Sequence, residues 1–262
     1  MYVLDTLEQK YGKDAIETGG LRVTASLDWE LQQKAEALTK QFVEDERELF
    51  NVANAGIVAL DPKTGQILTM VGSRDYFDKD IDGNVNIALA LRQPGSAFKP
   101  FVYLAALDSG YTPSTLILDA PFVIDQGPGL PKWRPDNYTR EFHGPSTMRL
   151  GIEKSRNLMT VRLAQTVGID KVAEYAERLG VVDKMPHQLS MALGAIETTP
   201  LRLTAAYAMF VNGGKRIAPS LIDRIQDRHG RTVFRHDQRP CLDCQVMQWT
   251  ERPVPALPDT RA

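Results

Sequence analysis

Between Lys99 and Ser109 the chain carries Phe101, Val102, Leu104, Ala105, Ala106 and Leu107, which make a helix apolar on nearly every face. Such a helix is stable only when buried, so the fold has to be built around it. Its amino end alone is left free to face a cleft, and that end reads Gln93-Pro94-Gly95-Ser96-Ala97-Phe98-Lys99-Pro100. Pro94-Gly95 suits a sharp turn into the helix, and Pro100 falls in or just past the first turn, where proline does least harm. Ser96 and Lys99 are three residues apart, and positions i and i+3 share a helical face. A serine hydroxyl is a weak nucleophile until a base takes its proton, and an unprotonated lysine amine can be that base.

The 262 residues supply ample core for one large domain or two small ones, and 43% hydrophobic with 24% charged residues is an ordinary soluble, globular composition. Thirty-one basic against 33 acidic residues leave a net charge of −2, which gives no electrostatic reason to expect a nucleic-acid partner. No apolar run approaches the roughly 18 residues of a membrane-spanning helix. Met1–Asp5 has neither a basic region nor a cleavage site, so export would have to be encoded outside this chain.

Asp28 is a good N-cap, and Leu31, Ala35, Leu38 and Phe42 repeat at helical spacing, which predicts one packed helix to about residue 48. Ala55–Leu60 and Gln66–Val71 read as a hairpin around Asp61-Pro62-Lys63-Thr64-Gly65. Residues 109–147 are rich in Pro, Gly and Asp and read as a long irregular excursion. From 148 to 212 the pattern is helical. It predicts two helices either side of Gly168 and a third with Thr199 as N-cap, Pro200 at its first position and Gly213 past its end. A second hairpin is expected at Ile217–Ile225 and Thr232–Phe234, and the proline-rich tail 239–262 shows no periodicity.

A second polar cluster, Ser155-Arg156-Asn157, lies between helical stretches. The hydroxyl could relay a proton and the amide could hold a lysine amine and a substrate carbonyl. Taken alone, Ser155 reads as a helix cap, and so does Ser96. Cys241 and Cys244, with His229 and His236, supply enough ligands for zinc, but their spacing fits no zinc pattern. A surface disulfide or free thiols is the better reading, and neither a metal nor a cofactor is expected.

Together these segments resemble the transpeptidase domain of penicillin-binding proteins, in which S-x-x-K is joined by S-D-N-like and K-T-G motifs. The resemblance runs through Ala55–Gly65, Arg92–Pro100, Trp133–Tyr138, Gly144–Arg149, Leu193–Leu201 and Asn212–Gly214. It is similar to the class A, bifunctional members in particular. It implies an α+β fold, an antiparallel sheet flanked by helices plus an all-helical subdomain. Residues 1–50 would be a linker following a glycosyltransferase domain, and 51–262 a partial transpeptidase domain.

By the same resemblance Ser96 would be the acylated nucleophile and Lys99 its proton acceptor. Ser155 would relay the proton to the leaving D-alanine, and Asn157 would hold the Lys99 amine and the substrate amide. The implied substrates are peptidoglycan stem peptides ending in D-Ala-D-Ala, with β-lactams as covalent inhibitors. The implied place is the periplasmic, extracytoplasmic face of the bacterial cytoplasmic membrane, with the anchor in the parent protein and no membrane contact within this chain. A D,D-carboxypeptidase or β-lactamase-type hydrolase and a non-catalytic β-lactam sensor are the alternatives on the same scaffold.

The family's Lys-Thr-Gly follows the second motif on a strand that lines the cleft. Here the only Lys-Thr-Gly is Lys63-Thr64-Gly65, which precedes Ser96 and sits in a hairpin turn. The expectation is a domain truncated before that motif, and a chain that by itself is inactive or nearly so.

Overall fold

The computed structural model describes residues 2–125, 129 and 131–238. In chain order it contains α1 (Tyr2–Tyr11), α2 (Lys13–Thr18), β1 (Arg22–Ala25), α3 (Trp29–Phe50), β2 (Ile57–Leu60) and β3 (Ile67–Val71). A 3-10 turn at Gly95–Phe98 leads into α4 (Lys99–Asp108), followed by β4 (Leu116–Asp119), β5 (Gly144–Thr147), α5 (Met148–Glu153), α6 (Asn157–Val167) and α7 (Ile169–Arg178). A second 3-10 turn at Leu189–Leu193 precedes α8 (Pro200–Val211), β6 (Ile222–Gln226) and β7 (Thr232–Arg235). The chain divides into two compact units, one made of residues up to Ala90 with those from Thr204 onward, the other of Leu91–Leu203.

The first unit holds the expected hairpin. β2 and β3 pair antiparallel, with Ile57 opposite Val71 and Val58 opposite Met70. Asp61 makes the turn, its carboxylate accepting from Lys63 N and its carbonyl from Gly65 N, and Gly65 takes the positive φ of 76° that such a turn requires. Lys63-Thr64-Gly65 is therefore turn chemistry. The stretch expected as a linker carries four elements, and β1 pairs antiparallel with β6, itself paired with β7. Leu7 of α1 is buried against Ile222 and Ile225 of β6. The second hairpin starts later than expected, at Ile222, because the segment before it runs parallel to the β2–β3 turn, with Ile67 N bonded to the Ser220 carbonyl.

α3 is capped by Asp28, whose carboxylate accepts from Leu31 N, as the sequence suggests. Its buried face shares only Ala35 with the expected one. Leu31, Leu38 and Phe42 are exposed, and the buried stripe is Gln32, Ala35, Thr39 and Val43. The offset follows from Gln32, whose Oε1 accepts from Thr69 Oγ1 (2.6 Å) and Met70 N (2.9 Å) and so fixes the rotation of α3 on β3.

The second unit is built round α4, as its composition demands: Phe101, Val102, Tyr103, Ala105 and Ala106 are buried. α6 and α7 pack with Leu158, Met159, Val161, Leu163, Val172, Ala173 and Ala176 inside. Residues 109–147 are less irregular than expected, because β4 and β5 at their two ends form an antiparallel ladder from Leu116–Thr147 to Asp119–Gly144. β4 alternates in burial but not in hydrophobicity, with Leu116 and Leu118 exposed and Asp119 buried, and Pro145 sits within β5, so no periodic signal in the sequence marks these strands. α8 begins as expected, with Thr199 Oγ1 accepting from Arg202 N and Pro200 at the first position. The architecture is the α+β class, with antiparallel strand ladders and a largely helical unit. Among the described residues no helix is long and apolar enough to cross a membrane.

Candidate active site

Gly95 adopts φ +53°, open to glycine at little cost, and starts the 3-10 turn that carries Ser96. The turn passes directly into α4, where Lys99 is the first residue and its N–H bonds back to the Ser96 carbonyl. Ser96 is exposed, whereas Lys99 is only 2% exposed. Neither the turn nor α4 has a side-chain cap, so the Ser96 hydroxyl is not a helix cap.

The segment Arg92–Ser96 is held from behind by residues 194–198. Arg92 and Thr198 exchange both backbone hydrogen bonds (2.8 and 3.0 Å), Gly95 N reaches the Gly194 carbonyl, and Gln93 Nε2 donates to the Ala195 carbonyl. This is what the stretch Leu193–Leu201 contributes to the site.

The second cluster is drawn onto the same lysine. Lys99 Nζ donates to the Ser155 carbonyl (2.5 Å), to Ser155 Oγ (3.0 Å) and to Asn157 Oδ1 (2.6 Å). These three bonds use all three donors of an ammonium group. Burial penalises the charge and lowers the Lys99 pKa from 10.5 to about 8. Ser155 holds a left-handed φ of 52°, a strained value for a serine. It is not a helix cap either: α6 starts at Asn157, the N-cap position belongs to Arg156, and no side chain of that residue caps it.

The capping is done from a distance by Asn137, which the reading of single residues did not pick out. Asn137 Oδ1 accepts from Asn157 N (3.0 Å) and Leu158 N (3.3 Å), the first free amides of α6. Its Nδ2 donates to Asp119 Oδ1 (2.7 Å) and the Glu141 carbonyl (2.9 Å). Asn157 Nδ2 in turn donates to the Asp136 carbonyl (2.8 Å), which leaves its Oδ1 for Lys99. The one local signal for Asp119 is a carboxylate ending the apolar run Leu116-Ile117-Leu118. The structure thus brings Lys99, Ser155 and Asn157 into one hydrogen-bonded cluster, with Ser96 on the turn that feeds α4.

When Lys99 is neutral, two of its three neighbours can only accept: the Ser155 carbonyl and Asn157 Oδ1. They take its two N–H groups and leave its lone pair for a hydroxyl. The arrangement can therefore pass a proton between Lys99 Nζ and the Ser155 hydroxyl. Among the described residues no group of three or more His, Cys, Asp or Glu is placed to hold a metal ion, and Cys241 and Cys244 lie outside those residues.

The chain belongs to the penicillin-binding protein transpeptidase domain family, whose model matches residues 55–256. Among its relatives is penicillin-binding protein 1A of Rickettsia bellii, 49% identical over 193 residues, which are 74% of this chain and 24% of that protein. The chain thus spans about a quarter of the length of the curated relatives it matches. The crystal structure of penicillin-binding protein 1A from Haemophilus influenzae superposes with a TM-score of 0.81 at 25% identity, covering 89% of this chain and 49% of that one. PonA1 of Mycobacterium tuberculosis in complex with penicillin V shares the fold, with a TM-score of 0.74 at 21% identity over 88% of this chain and 62% of that one.

Proposed function

We propose that this chain is the acyl-transfer part of a peptidoglycan D,D-transpeptidase, with Ser96 as nucleophile. Lys99 takes the Ser96 proton as Oγ attacks the carbonyl carbon of the D-Ala-D-Ala peptide bond. The C–N bond then breaks, Ser155 protonates the departing D-alanine amine, and Lys99 returns a proton to Ser155. An amine of a second stem peptide attacks the acyl-enzyme by the reverse route and releases Ser96. Asn157 holds the Lys99 amine and offers its amide to the substrate. Membership of the family supports the reaction class. The observation that carries the residue roles is the Lys99 contact set: a buried amine, bonded to Ser155 and Asn157, one turn from an exposed serine.

β-Lactams would acylate the same serine, as analogues of the acyl donor; the PonA1 neighbour is a complex with penicillin V. The work belongs on the extracytoplasmic side of the cytoplasmic membrane, where the substrate is. After Asn157 the 262 residues contain no Lys-Thr-Gly to bind the substrate carboxylate and complete the oxyanion site. Removing one oxyanion donor costs about 2.7–4 kcal/mol of transition-state stabilisation, so the chain by itself should acylate slowly.

Benzylpenicillin at high concentration, with peptide mapping by mass spectrometry, tests this reading. A penicilloyl adduct on Ser96 that is absent from S96A and K99A is the expected result. It should form at least about 100-fold more slowly than in a longer chain carrying a Lys-Thr-Gly strand. An adduct that survives S96A, or none in either chain, overturns the assignment. Equal rates in the two chains overturn the proposed slowness alone.

A further inference from the structure

We infer that Asp119 is the positioning residue of the second motif, holding Asn157 on Lys99 through Asn137 and Arg156. The inference rests on the reading of Lys99 and Asn157 as catalytic, but its physical basis is separate.

Asp119 ends β4 and is 0% exposed. A carboxylate stripped of water is costly to a fold unless charge and hydrogen bonds compensate it. Its Oδ1 accepts from Asn137 Nδ2, and its Oδ2, which has no hydrogen-bond partner, lies 3.7 Å from Arg156 Nε. The Arg156 side chain is itself largely buried and also donates to Ser146 Oγ (2.7 Å) of β5, the strand paired with β4. Both ties from the one carboxylate end on the same short stretch of chain. Arg156 lies between Ser155 and Asn157, and Asn137 accepts the amides of Asn157 and Leu158.

The geometry needs such an anchor. Ser155 is left-handed and the chain must then reverse into α6 within two residues. A strained residue persists only where its surroundings over-determine it. The β4–β5 ladder is the rigid support, and Asp119 transmits it to the motif. The Asn157 and Leu158 amides hold Asn137 with its Oδ1 toward α6 and its Nδ2 turned away. Its Nδ2 must therefore meet acceptors, and the Asp119 carboxylate is one that cannot turn round to donate.

The test exchanges the two side chains. In N137D two carboxylates face each other in a buried site, and the cap on α6 is lost or distorted. In the double variant D119N/N137D the bond between the two positions is restored with reversed polarity. The new amide at position 119 then donates to the new carboxylate at position 137, which still accepts from α6. The carbonyl oxygen of that amide faces Arg156.

We expect amide exchange at Asn157 and Leu158 to accelerate at least about tenfold in N137D and N137A, with α7 amides unchanged. Acylation of Ser96 by benzylpenicillin should fall about 10- to 100-fold in both, and return to within about threefold of wild type in D119N/N137D. Unchanged exchange at Asn157 and Leu158, or a double variant no better than N137D, overturns the inference. If Ser96 takes no penicillin in this chain or in the longer one, the proposed function falls, while the exchange measurements still decide whether Asp119 and Asn137 hold the motif.

Discussion

Gly194 lies against the peptide of Gly95 so closely that a β-carbon at position 194 would fall 2.1 Å from the Gly95 carbonyl oxygen and 2.5 Å from its nitrogen. Gly194 also has φ +76°, whereas Gly95, at φ +53°, has nothing within 4 Å of its own β-carbon position. The two substitutions therefore differ in kind. G95A carries only the backbone penalty, about 1–2 kcal/mol. G194A adds overpacking against backbone that forms the Ser96 turn, for a total of about 2–4 kcal/mol. Urea unfolding should rank G194A below G95A, and G194A should slow Ser96 acylation further. Equal midpoints would show that the 194–198 segment does not press on the nucleophile turn.

The depressed Lys99 pKa sets two pH dependences of known sign. In the proposed role the neutral amine is the active form, so the acylation rate of Ser96 should rise about tenfold per pH unit below pH 8 and level off above it. For stability, the folded chain releases the Lys99 proton near pH 8 and the unfolded chain near 10.5. Between those values the unfolded state holds more protons, so stability should rise with pH across that window. The burden of the buried charge is fully present below pH 8. K99M should flatten both profiles. A wild-type acylation rate independent of pH from 6 to 8 would remove Lys99 from the role of base.

Ser155 offers a separation of backbone from side chain. Its φ of 52° suits glycine, while alanine keeps the strain and removes the hydroxyl. S155G should be more stable than S155A by about 1 kcal/mol, although both lose the proposed proton relay. Thermal unfolding of the pair reads the first statement and penicillin acylation the second. A more stable S155A would mean that the left-handed turn relaxes once the hydroxyl no longer meets Lys99.

Those residues that local chemistry constrains were readable from the sequence. The all-apolar helix, the Asp61 turn, the Asp28 cap and the Thr199-Pro200 start each depend on neighbours within four positions, and each is found where expected. Ser96, Lys99, Ser155 and Asn157 were singled out through the family resemblance, and the structure gathers Ser155 and Asn157 round the Lys99 amine. What escaped depends on distant partners. β4 and β5 pair across some 28 residues without a periodic pattern, and Asn137 caps a helix 20 positions downstream. No propensity at Asn137 or Asp119 reports that contact. The rotation of α3 escaped for a related reason: a hydrophobic stripe names a face, but a glutamine bonded to a strand decided which face turned inward.

That rotation can be tested by opposite substitutions on adjacent faces. Gln32 is buried, and besides accepting from Thr69 and Met70 it donates to Glu36 Oε1 (2.7 Å) and the Met70 carbonyl (3.2 Å). Q32L would strand the Thr69 hydroxyl, 1% exposed, and the Met70 amide without their acceptor. Each loss is worth about 1–3 kcal/mol, so Q32L should cost roughly 2–4 kcal/mol despite adding an apolar side chain to a buried position. Leu38, by contrast, is 62% exposed, and L38Q should stay within about 0.5 kcal/mol of wild type. On hydrophobicity alone the ranking would be reversed. Urea unfolding of the two variants decides it: a stable Q32L beside a destabilised L38Q would put the leucine stripe inside and move α3 by about one position on β3.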